Sequence, residues 1–190
     1  MTAGVVTSVL SLGAVVSSFP PVAGAIVDRF GRKGAIVVGA LLFSLGALLQ
    51  GVAHGLTLVI SGRVISGAAI GLLSVNVPLY QGELAQPRLR GSLVALYQLA
   101  ITAGIMLAFW LNYAVAELRG GWRLSVLLQL VPGLTLAGGM LALPQSPRWL
   151  VSQGRSVEAA VALQRVRSGD DDVAGEVREI ANAFAREMAS

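Results

Sequence analysis

No ionisable side chain occurs from Thr2 to Val27, and from Gly34 to Gly62 the only titratable group is His54. An α-helix crosses the hydrocarbon core of a bilayer with ~20 residues, and each run exceeds that length. Between them lies the dense charged stretch Asp28-Arg29-Phe30-Gly31-Arg32-Lys33. Two buried apolar spans joined by a short loop at the membrane surface satisfy this pattern. A soluble fold does not.

Composition agrees, with 55% hydrophobic and 13% charged residues and a mean hydropathy of +0.73. Ordinary soluble domains are roughly 25% charged. The chain of 190 residues has room for about five spans. The fold class expected is therefore all-α, a multi-pass transmembrane helical bundle in contact with the lipid bilayer.

Several function classes are excluded on chemistry. The net charge of +4 comes from basic residues spread singly among loops and ends, so no nucleic-acid partner is expected. Cysteine is absent, which removes disulfides and thiolate metal sites. No paired intramembrane carboxylates, Ser/His/Asp set, phosphate-cradling loop or metal cluster is evident, so no enzyme, metal or cofactor is expected. Ala23-Gly24-Ala25 imitates a signal-peptide cleavage site, but no Lys or Arg precedes the apolar run, and a genuine span is the better reading.

The spans are expected at about 4–27, 34–53, 56–80, 92–116 and 124–143, making residues 1–143 the membrane part and 144–190 a polar tail. Pro20-Pro21 should bend the first helix near its end. His54 belongs to a tight connection. In the third span Gly62, Gly67 and Gly71, with Ser66 and Ala68, permit close helix approach. Arg63 is the one cation well inside an apolar run, either snorkelling to the interface or paired with a carboxylate. In the tail, Ser156 should cap a helix through about Arg167. Gly169 with Asp170, Asp171 and Asp172 is a break, and a second helix follows with Val177, Ile180, Ala181, Phe184 and Met188 on one face.

The fourth span carries a selective polar stripe. Gln98, Ile101, Thr102 and Ile105 fall at i, i+3, i+4 and i+7, and Asn112 returns close to that face. Such a stripe faces protein or water. It serves either an interhelical hydrogen bond or the wall of a pocket for a polar solute. The basic loops around Arg29, Arg32 and Lys33 and around Arg88 and Arg90 fall on the same side as the arginine-rich tail, which the positive-inside rule makes cytoplasmic. The N-terminus is then outside, as expected if one further span preceded Thr2.

Taken in order, six motifs resemble the sugar porter family of the major facilitator superfamily. They are Asp28 to Lys33; Gly62-Arg63 with Gly67 and Gly71; Pro78 with Glu83, Arg90 and Gly91; Gln98 to Ile105; Gly121-Trp122-Arg123; and Leu143 to Leu150. The resemblance implies a twelve-helix carrier of which this chain supplies helices two to six plus short intracellular helices, its partners being the missing first helix and the C-terminal half. It further implies that Gln98 hydrogen-bonds a sugar while Ile101, Thr102 and Ile105 line the cavity, to which the stripe adds Asn112. It implies a cytoplasmic latch of Glu83, Arg29, Arg32, Arg90 and Arg148, with Asp28, Gly31 and Lys33 in the same loop. Gln145 stands where many members carry an acid, replacing one ion pair by a neutral hydrogen bond. Arg63 matches an arginine that faces an aspartate of the first helix in proton-coupled members, so a co-transported proton stays open. The implied function is hexose-like sugar transport by alternating access at the plasma membrane. Transport of quinate or inositol, or a truncated protein acting only as an interaction partner, are the alternatives.

Overall fold

The computed structural model describes residues 2–18, 20–86, 88–167 and 172–189, all of its regular structure being helical. In chain order the helices are α1 (Thr2–Ser18), α2 (Pro20–Gly51), α3 (Leu56–Leu84), α4 (Arg90–Val115), α5 (Gly121–Leu128), α6 (Leu130–Ala142), α7 (Pro147–Ser152), α8 (Ser156–Gln164) and α9 (Val173–Ala189). Among the described residues, four helical stretches are long and apolar enough to cross a membrane: Ile26–Gly51, Leu56–Leu84, Arg90–Val115 and Gly121–Ala142. The fold is a transmembrane helical bundle, and the chain is an integral membrane protein.

The first expected span is built differently from the expectation. It is divided between α1 and the opening turns of α2, on either side of Phe19, which lies outside the described residues, as do the side chains of Pro20 and Pro21. The expected loop at 28–33 is also absent. Helix runs up to Phe30 and resumes at Arg32, and only Gly31 leaves helical geometry, at φ 74° and ψ 173°. Positive φ there is accessible to glycine and costly for other L-residues, so one residue does the work of a loop.

Contact register shows that the chain reverses at this point. Gly67 of α3 lies against Leu10 and Gly71 against Ala14, so α1 and α3 run in the same sense. Gly46 of α2 meets Gly62 and Ser66, whereas Gly39 meets Leu72 and Leu73, so α2 after Gly31 runs opposite to α3. Small residues make both approaches. A Cβ on Gly67 would stand 2.2 Å from the Leu10 carbonyl oxygen, so only glycine lets the α1 backbone come this close. The small-residue expectation for the third span is met, with α3 clasped between α1 and α2.

Other boundaries shift for local reasons. The last span is interrupted at Gln129 between α5 and α6, three residues before Pro132, which has no N–H to continue the helical ladder. Ser156 is the first residue of α8 and not its cap; Arg155 holds that position and no side chain caps it. A short helix the sequence reading lacked, α7, begins at Pro147 with Ser146 as N-cap, its side chain accepting from the Trp149 amide at 3.2 Å. Trp149, Leu150, Val151, Ala159 and Ala162 form a small core against which Val177, Ile180 and Ala181 of α9 pack. Of the expected break, Gly169, Asp170 and Asp171 lie outside the described residues, as does the Met188 side chain.

Candidate functional site

The turn at Gly31, the C-terminal end of α3, the segment after α6 and the tail helices gather at one end of the bundle, here called the charged end. Helices finish there with carbonyls that have no partner within their own helix, and such groups are costly to leave unmet away from water. Side chains from other elements meet them. Lys33 Nζ donates to Leu141 O at 2.9 Å and to Leu143 O at 2.6 Å, closing α6. Tyr80 Oη donates to Pro144 O at 2.6 Å, and Trp149 Nε1 donates to Asp28 O at 3.3 Å. Arg167 donates to Leu84 O at 2.7 Å and, through two other nitrogens, to Glu176 at 2.9 and 2.6 Å.

Within this frame lies the ion pair of Arg32 Nε and Glu83 Oε1, 3.2 Å apart, with side chains only 19% and 8% exposed. The second carboxylate oxygen of Glu83 accepts from the hydroxyl of fully buried Ser146. Glu83, Arg88, Arg90, Arg148 and Arg167 line an open cavity of about 850 Å³ against α9. Of the residues the sequence groups as a latch, the structure therefore joins Arg32 to Glu83 and places Glu83, Arg90 and Arg148 around one cavity. Arg29 is turned elsewhere, its guanidinium 5.6 Å from the Phe30 ring centroid. No ion pair is formed by Arg29 or Arg90 among the described residues. Asp28 enters through its carbonyl, and Gly31 through its backbone conformation.

The α4 stripe is the second candidate. Gln98, Ile101, Thr102, Ile105 and Asn112 are all exposed. The Thr102 hydroxyl donates back to Gln98 O at 3.0 Å, which orients its lone pairs outward. The Gln98 carboxamide makes no hydrogen bond among the described residues. Asn112 differs: its Nδ2 donates to Ala108 O at 2.7 Å and its Oδ1 accepts from Ser125 Oγ at 2.5 Å. It ties α4 to α5, the interhelical use of a polar side chain, and the other four are not so engaged with a neighbouring helix. Arg63 is half-buried on α3, and its Nε has no hydrogen-bond partner among the described residues.

Sequence reasoning missed the capping roles of Lys33, Tyr80, Trp149 and Arg167. The Ser146-Pro147 pair was a usable signal, being a cap residue followed by proline at the first helical position. Nothing local marks Tyr80 or Arg167, whose acceptors lie far away in sequence.

A family model described as "Sugar (and other) transporter" matches residues 1–190. The chain is 40% identical over 179 residues to the "Sugar transport protein MST8" of Oryza sativa subsp. japonica, covering 93% of this chain and 34% of that protein. It is 37% identical over 179 residues to the "Glucose transporter GlcP" of Staphylococcus epidermidis, covering 94% of this chain and 39% of that one. Among solved structures it resembles the major facilitator proton:xylose symporter XylE bound to 6-bromo-6-deoxy-D-glucose, with a TM-score of 0.89 and 25% identity over 97% of this chain and 44% of that one. The inward-open form of the xylose transporter XylE from E. coli is alike in fold, with a TM-score of 0.84 at 24% identity over 100% of this chain and 47% of that one. The chain thus spans between about a third and two fifths of the length of these curated relatives. The relatives carry solutes across membranes and are not enzymes. With its entire length matched by the family model, and with the major facilitator arrangement of helices around α3, this chain belongs to the sugar (and other) transporter family.

Proposed function

We propose that these residues form part of a carrier that moves a hexose-like sugar across a membrane by alternating access. The observation that carries the reading is the face of α4 bearing Gln98, Ile101, Thr102 and Ile105, which no other helix covers among the described residues and on which the Gln98 carboxamide has both donor and acceptor to offer. A sugar hydroxyl is donor and acceptor at once, and a carboxamide meets both needs. The remaining wall would come from the additional length that the relatives possess. In the same reading the Arg32–Glu83 pair is part of a latch that forms when the charged end is closed and parts when it opens. Arg63, with Nε unmet, is the group for a carboxylate partner and a co-transported proton. The charged end faces the cytoplasm of a plasma-membrane protein whose first described helix starts outside.

The test is uptake of labelled hexose by cells expressing these residues with the sequence that flanks them in their own gene. Gln98→Ala should raise KM about tenfold, the size expected from one lost hydrogen bond to a polar solute. Unchanged uptake in that variant overturns the assignment of α4. Competition by unlabelled hexose, inositol and quinate identifies the solute. Should the 190 residues alone give no uptake but bind a longer relative, the interaction-partner reading takes over.

A further inference from the structure

The last span carries a groove that the transport reading does not use. It follows α6 along Val131, Thr135, Gly139 and Leu143, with Met140 beside them, and encloses about 640 Å³. Residues four apart are neighbours on a helix surface, and the row from Val131 to Leu143 rises ~18 Å at ~1.5 Å per residue. One leaflet of a bilayer holds hydrocarbon to a depth of ~15 Å, half of the ~30 Å core. The groove is therefore about one leaflet long. Apart from the Thr135 hydroxyl its lining is apolar. All four residues of the row are exposed, and a Cβ on Gly139 would meet nothing within 4 Å, so the described residues leave the middle of the groove empty.

At the charged end this groove meets cations. Lys33 stands at its mouth, Nζ donating to Leu143 O at 2.6 Å and to Leu141 O at 2.9 Å, and an ammonium has a third hydrogen to give. The Lys33 amide donates to Gln145 Oε1 at 3.1 Å. Pro144 and Gln145, which follow Leu143 directly, line a second groove with Arg155, Glu158 and Arg165. Arg155 is neutralised there by Glu158, to which it donates twice at 2.6 Å. Arg165 is exposed, and neither it nor Lys33 forms an ion pair among the described residues.

We propose that this feature binds one anionic phospholipid from the leaflet at the charged end, with an acyl chain in the α6 groove and the phosphate held by Lys33 and Arg165. Phosphate oxygens accept charge-assisted hydrogen bonds from ammonium and guanidinium groups alike. A choline headgroup has the same phosphate but brings a cation of its own, which two unneutralised cations repel. An ordinary lipid-facing helix offers neither the trough nor the pair of charges. The site is independent of the solute carried.

The test is lipid binding to the purified protein, expressed with its native flanking sequence, held in detergent and read as lipid adducts by native mass spectrometry. Dioleoyl phosphatidylglycerol should bind about twenty-five-fold better than dioleoyl phosphatidylcholine, each cation contributing about fivefold. Arg165→Gln and Lys33→Met should each lower that ratio about fivefold. Gly139→Leu, by filling the trough, should weaken both lipids about threefold through lost packing. Gly138→Leu, at a position that does not line the groove, should leave both unchanged. Equal binding of the two lipids by the unaltered protein reduces the contact to general solvation by lipid and overturns the proposal. A preference that survives Arg165→Gln overturns the headgroup site, whether or not Lys33→Met can be purified. Dihexanoyl phosphatidylglycerol binding as well as the dioleoyl form, or Gly139→Leu without effect, removes the groove.

Discussion

Lys33 Nζ and the Leu143 carbonyl meet at 2.6 Å, joining the start of the helix after the Gly31 turn to the end of α6 across 110 residues of sequence. The same ammonium holds Leu141 O at 2.9 Å. A cation at a helix C-terminus contributes about 0.3–1 kcal/mol at an exposed site. Lys33→Met should therefore lower the melting temperature of the purified protein by up to about 4 °C while leaving membrane insertion intact. An unchanged melt in fluorescence-detected unfolding would show that water replaces the ammonium at no cost.

Arg32→Ala removes one partner of a mostly buried pair and leaves Glu83, 8% exposed, with Ser146 as its one partner among the described residues. Breaking a buried pair from one side costs about 3–5 kcal/mol where the remaining charge cannot escape, and less here because Glu83 lines an open cavity that admits water. Slower transport with normal membrane expression is the expected result. Glu83→Gln should do less harm, since a neutral amide keeps the Ser146 contact without a stranded charge. The ordering of the two rates is the check, and the reverse ordering would contradict the account.

Gly67→Leu places a side chain where α1 passes, 2.2 Å from the Leu10 carbonyl oxygen at the first carbon alone. Overpacking costs about 1–3 kcal/mol even where side chains can yield, and here the obstacle is backbone. Loss of folded protein from membranes is expected. Gly138→Leu, on the open face of α6 where a Cβ meets nothing within 4 Å, should be accepted. Expression and detergent gel filtration of the two variants would distinguish packing from a general intolerance of large residues.

Glu158 on α8 is held below the ordinary carboxylate range by hydrogen bonds from the Arg155 guanidinium at 2.6 Å. A carboxyl lowered in this way contributes above its unfolded value and loses that contribution as pH falls through its folded value. Because both side chains are about half exposed, the effect is small. Limited proteolysis of the tail should therefore be unchanged from pH 8 down to about pH 5. Cleavage within α8 that appears only as the pH falls below about 4 would mean that the pair carries more of the tail's stability than its exposure allows.

The close approach of α3 and the amphipathic α9 were legible in the sequence because both depend on a periodic or local pattern. Gly62, Gly67 and Gly71 announced their contacts by spacing. The turn at 28–33 was legible as a reversal but not as a single residue, since charge density says where a chain meets water and not how many residues it needs to turn. Asn112 was grouped with Gln98 by angle around the helix, yet the hydroxyl of Ser125 claims it. Angular position cannot reveal a neighbour supplied by the next helix. The hydrogen-bond partners of the Gln145 side chain, Phe30 O and the Lys33 N–H, are brought to it only by the positive φ of Gly31, which no local pattern announces.

The reversal at Gly31 has no slack. One added residue would rotate the following helix by ~100° about its axis. The face that presents Ile36 and Ala40, both buried, would then swing away from the core, and Lys33 would no longer point at α6. Most surface loops absorb insertions readily; this one fixes chain length. Insertions and deletions here should therefore be as disruptive as changes in the middle of a helix, however exposed Asp28 and Arg29 are.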